Sequence, residues 1–155
     1  MNIAEAVALI IVLAMIADGY VKGFVKTLFS IIKIAIGVAI GVIISSGIAG
    51  KVTEAVKNIM PGVFLVVFGI VFGLLGALER LFNLIDLIPV AKQLNRIIGI
   101  AAGAVKGVII VWAAIWVFGF FADVEWVVKI NEMIEKSELL LFIKSCNPLM
   151  YLFGK

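Results

Sequence analysis

Residues 97–122 read IIGIAAGAVKGVIIVWAAIWVFGFFA, a run whose single charged residue is Lys106. At about 1.5 Å per helical residue, such a run covers the ~30 Å hydrocarbon core of a bilayer. It predicts a membrane-spanning helix with a cation near its middle. A cation at that depth usually faces protein and often marks function. Three further apolar segments precede it, so the spans are expected at about 3–24, 28–50, 61–78 and 97–121. Hydrocarbon offers no water to backbone groups, so each segment should be a helix, and the runs lack the polar alternation of a β-barrel. The expected fold is all-α: an integral membrane bundle of four transmembrane helices over residues 1–122, followed by an amphipathic helical tail over 123–155.

Composition agrees. Of 155 residues, 65% are hydrophobic and 15% charged, and the mean hydropathy is +1.28. Soluble domains carry roughly 25% charged residues. The net charge of +3 is scattered between apolar runs and builds no basic face, so nucleic acid is not an expected partner. The lone Cys146 excludes an internal disulfide. The lack of histidine excludes Ser-His-Asp and Cys-His catalysis and histidine-zinc sites. No catalytic residue, metal site or cofactor is expected, and the chain is read as not an enzyme. The first apolar run begins Met-Asn-Ile-Ala-Glu, with Glu5 and no cation, so it reads as a retained span rather than a signal peptide.

Charges punctuate the segments. Glu5 lies near one end of the first span and Asp18 and Lys22 near the other, while Lys33 interrupts the start of the second, where it can snorkel. Pro61 suits a helix first turn. Residues 51–60 and 81–95 mix charged and apolar residues, as surface-lying segments or as ordinary loops. In the tail, apolar spacings of three and four predict one or two amphipathic helices. Ser137 is placed to cap the second and Asn147-Pro148 to end it.

With the N-terminus outside, the inner connectors hold Lys22, Lys26, Lys33, Arg80, Lys92 and Arg96. The outer side holds Lys51, Lys57, Lys129, Lys136, Lys144 and Lys155. Lys144 and Lys155 lie too far beyond the last span to weigh fully, and the N-terminus lacks a cation. Lys22, Lys26 and Arg96 therefore read as the cytoplasmic signal, with both termini outside.

Glycines recur at four-residue spacing: Gly19/Gly23, Gly37/Gly41, Gly69/Gly73 and Gly99/Gly103/Gly107. Small residues at this spacing allow close helix approach, within the monomer or, alternatively, at a subunit interface. At about 100° per residue, Lys106 lies about 20° from Gly99 and about 60° from Gly103 around the helix. It should therefore point at a neighbouring helix. Asp18, in the same half of the membrane, is the best-placed acid. Lys106 reads either as structural, paired with Asp18, capped by backbone carbonyls or snorkelling, or as part of a polar pathway for an ion or substrate. A short echo relates Gly19-Tyr20-Val21-Lys22-Gly23-Phe24 to Gly103-Ala104-Val105-Lys106-Gly107-Val108.

The stretch Gly19–Phe24 followed by Leu28 resembles the basic glycine hairpin of the colicin V production protein family. Leu94–Gly107, with Arg96, then Gly99 and Gly103, then Lys106-Gly107, is similar to that family's second signature. Glu5 stands where members often have an acid, and Ser137-Glu138-Leu139-Leu140 resembles a tail motif. Asp18 matches no motif of the family. The resemblance covers nearly the whole chain. It implies a bacterial inner-membrane protein of four spans, linked to colicin V production or export and to envelope maintenance, with no catalytic residues.

The first functional expectation is thus a membrane accessory protein of toxin production, packing with itself or with other membrane proteins in the lipid bilayer. The alternative is a small transporter or channel subunit with Lys106 on a polar pathway. Ser45, Ser46 and Asp18 are almost the only further polar groups available to line it.

Overall fold

The computed structural model of the protein describes residues 2–49, 59–82, 92–148 and 150. Among the described residues five helices follow in order: α1 (Ile3–Ala49), α2 (Met60–Phe82), α3 (Lys92–Phe120), α4 (Glu125–Glu135) and α5 (Glu138–Ser145). No strand occurs among the described residues. Among the described residues three helices are long and apolar enough to cross a membrane, over Ile3–Ser45, Met60–Leu78 and Gln93–Phe120. The protein is an all-helical membrane protein.

α1 is two helical limbs joined at Gly23, whose φ of 79° and ψ of 173° are non-helical. A positive φ is nearly free for glycine and costly for residues with a Cβ. Two contacts secure the break. Asn95 Oδ1 accepts from the Phe24 amide at 3.0 Å, and the Thr27 hydroxyl donates to the Gly23 carbonyl at 2.8 Å. The connector expected between residues 24 and 28 is therefore compressed into one residue, and the helix resumes at Phe24.

The chain turns back at this point. Gly23 lies against Asn95, while Ala8 packs in a cluster with Val111 and Ile115, so the first limb runs antiparallel to α3. On the second limb, Ile34 and Val38 cluster with Ala113 and Val117. Ile34 is only about 16 Å of helix from Gly23. It reaches that level of α3 because the second limb rises beside the first. α2 then runs antiparallel to the second limb, with Phe68 over Gly37 and Phe64 over Gly41. α2 is peripheral: only 11% of its most apolar stretch is buried in protein, and Leu65, Val66, Ile70 and Leu74 face outward.

The helices overrun the expected spans. The apolar stretch of α2, Met60–Leu78, matches the span expected at 61–78, and the helix continues past it to Phe82. α3 begins at Lys92 rather than at 97, because Gln93, Leu94, Asn95 and Arg96 continue the helix. Of the two segments expected at the surface, residues 51–58 and 83–91 lie outside the described residues, as does the side chain of Ser46.

The tail forms two short helices. Ser137 caps α5 by accepting from the Leu140 amide, and the helix stops before Asn147. Both helices dock on the bundle rather than floating free. Ile134 and Leu140 join the Ala8–Val111–Ile115 cluster, and Val127 is fully buried in the other. Trp112 Nε1 donates to the Ile143 carbonyl at 2.8 Å, and Asn147 Nδ2 donates to the Trp112 carbonyl at 3.0 Å. Asn2 caps α1 through the Glu5 amide at 2.8 Å and donates its own amide to the Met133 carbonyl. The start of α1 and the tail thus meet at one end of the bundle.

Candidate functional site

The site is built on the crossing of the first limb with α3. A Cβ on Gly19 would collide with the Gly99 carbonyl oxygen and come within 2.9 Å of Gly103 Cα. One on Gly99 would strike the Gly19 carbonyl and approach Gly23 Cα to 2.9 Å. One on Gly103 would collide with the Met15 carbonyl, and one on Gly107 would sit 2.8 Å from Val12 Cα. The five glycines are therefore one intramolecular seam in which backbone touches backbone. Gly69 and Gly73 have the same spacing and no neighbour within 4 Å among the described residues.

This close approach sets Asp18 against Lys106. A helical Cβ leans toward the helix N-terminus, so Lys106 reaches toward the Arg96 end of α3, where the crossing holds Asp18. Lys106 Nζ lies 2.8 Å from Asp18 Oδ2, with the lysine side chain 5% exposed. Lys22, one turn after Asp18, binds the other oxygen at 2.7 Å and is 47% exposed. Lys22 and Lys106 hold equivalent positions in the echo and flank one carboxylate, although of the two segments only Gly19 and Gly103 meet. Two cations and one anion leave the cluster with a net charge of +1. A buried ammonium needs such a partner, because desolvation penalises an isolated charge by several kcal/mol.

The cluster closes one end of a cavity of about 620 Å³ between the two limbs, α2 and α3. Besides Asp18, Lys22, Lys106 and Ser30, its walls are almost wholly apolar, with Ile34, Ile110, Val117 and Trp126 among them. One wall is a ladder of Phe64, Phe68 and Phe72, stacked at centroid separations of 6.0 and 5.7 Å.

The other residues singled out in the sequence lie elsewhere. Lys33 Nζ sits 5.3 Å from the Phe72 ring centre, a cation–π distance. Arg96 lies over Tyr20 at 5.9 Å, near the Gly23 turn. Lys26 is exposed. Glu5 is part-buried at the far end, where its backbone takes the Asn2 cap. Ser45 is buried but does not line the cavity: its hydroxyl donates to the Gly41 carbonyl one turn back at 2.7 Å. Sequence reasoning gave no role to Asn95, which secures the turn, or to the phenylalanine ladder. The four-residue spacing of Phe64, Phe68 and Phe72 was the available signal for the latter.

The family model for the colicin V production protein matches residues 4–148. The chain belongs to the colicin V production protein family. No curated protein and no solved structure matches it. The colicin V production match takes in the whole seam, the Asp18–Lys22–Lys106 cluster, Asn95 and both tail helices through Ser145. Membership supports a role in colicin V production.

Proposed function

We propose that this protein is a multi-pass accessory protein of the bacterial inner membrane, acting without catalysis in the production or export of colicin V or in envelope maintenance. The observation that carries this reading is the family match across nearly the whole chain. In this reading the two limbs of α1, α2 and α3 each cross the bilayer. The Asn2–Met133 hydrogen bond supports both termini lying on one side, as an even number of crossings requires. Lys22, Lys26 and Arg96 at the Gly23 end favour that end as cytoplasmic. The protein acts through packing with copies of itself or with other membrane proteins.

The alternative, a transporter or channel subunit, draws on Lys106 and Asp18 lining a cavity. A path for hydrated ions needs polar groups along its length. Here they gather at one end, and phenylalanine occupies the rest, so the accessory reading is preferred. Deleting the gene in a colicin V-producing strain tests it. The deletion strain should give smaller zones of killing, restored by a plasmid copy. Undiminished secreted toxin together with a normal envelope stress response would overturn it.

A further inference from the structure

The cavity pairs an apolar interior, walled on one side by the Phe64–Phe68–Phe72 ladder, with a charge excess at one end. Lys106 carries three N–H donors, and Asp18 is its only ion-pair or hydrogen-bond partner among the described residues. Lys22 is half exposed and shares the same carboxylate. The +1 remainder is thus left at one end of a cavity lined by aromatic and aliphatic side chains. Leu65 lines the cavity and is also 62% exposed on the peripheral helix α2, so the cavity borders the lipid-facing surface. Its size lies within the roughly 300–1,000 Å³ common for small-molecule sites.

We infer that this cavity binds one anionic phospholipid, with its phosphate meeting Lys22 and Lys106 and one acyl chain lying along Phe64, Phe68 and Phe72. Charge complementarity selects the head: an anion neutralises the surplus charge where bilayer gives little water to do so. A zwitterionic lipid would bring its own cation to a site already positive. The inference rests on the chain lying in a bilayer and not on its part in toxin production.

The test is native mass spectrometry of the full chain purified in dodecyl maltoside, titrated with phosphatidylglycerol, phosphatidylcholine or glycerol phosphate. One phosphatidylglycerol should bind, at least about tenfold more tightly than phosphatidylcholine, as one charge-assisted contact provides. Glycerol phosphate alone should not compete. Lys22→Gln leaves the Asp18–Lys106 pair in place and should abolish the headgroup preference. Ala114→Phe, which fills the cavity from α3, should remove the bound lipid. Equal binding of both lipids, displacement by glycerol phosphate, an unchanged preference in Lys22→Gln, or a dimer without lipid would each overturn the inference. The wild-type comparison decides even if Ala114→Phe fails to fold.

Discussion

Lys106 Nζ and Asp18 Oδ2 meet at 2.8 Å across 88 residues of sequence, and the contact exists because five glycines let their two helices touch at the backbone. Asp18 also holds Lys22, so the two halves of the pair are not equivalent. Losing Lys106 leaves the carboxylate with a partner. Losing Asp18 leaves a buried ammonium beside a second cation.

The pair therefore predicts an asymmetric mutant cycle. Breaking a buried pair costs roughly 3–5 kcal/mol, while replacing both partners with apolar groups can be near neutral. Asp18→Leu should lower thermal stability in detergent by the larger amount and Lys106→Met by less. The double variant should recover much of the Asp18→Leu loss. Additive losses in the melting temperatures would show that the two side chains act independently.

Glycine spacing gives a second contrast. Gly103→Ala forces a methyl into the Met15 carbonyl and should destabilise by about 1–3 kcal/mol. Gly73→Ala meets open space and should be neutral or stabilising by up to about 1 kcal/mol, the helix preference of alanine over glycine. Melting curves of the two variants in one detergent check this. Equal effects would mean that the seam is not closely packed.

Much of this was legible in the sequence. Hydropathy located the helices, because in a bilayer the apolar run and the hydrogen-bonded helix are the same requirement. Helical angles and membrane depth pointed Lys106 at a neighbouring helix and singled out Asp18 as the best-placed acid, but left capping by backbone carbonyls equally open. The turn at Gly23 was not legible as a single residue, since Asn95, which caps it, lies 71 residues beyond the Phe24 amide it accepts from. Nor could spacing separate Gly99/Gly103 from Gly69/Gly73. The periodicity is the same, and only the neighbouring helix differs.

The turn itself makes a third prediction. Gly23→Ala should cost about 1–3 kcal/mol for the backbone conformation alone, and more because its Cβ would strike the Asn95 side chain. Asn95→Ala should cost about 1 kcal/mol by freeing the Phe24 amide. Both should appear as lower melting temperatures, and Asn95→Asp, which keeps the acceptor, should lose less than Asn95→Ala. Equal losses for the two Asn95 variants would remove the cap from the account.

The most direct measurement is the sidedness of the two ends of the bundle. Thr27 is fully buried and bonded to the Gly23 carbonyl, so it is unsuited to labelling, whereas Lys26 and Glu132 are exposed. Single cysteines at these two positions, in a Cys146→Ser background, are treated in intact cells with an impermeant thiol reagent after opening only the outer membrane. Glu132→Cys should label, and Lys26→Cys should label only after the inner membrane is permeabilised. Labelling of Lys26→Cys from outside, or protection of Glu132→Cys, would contradict a bundle that turns at Gly23 and brings both termini to the outer face.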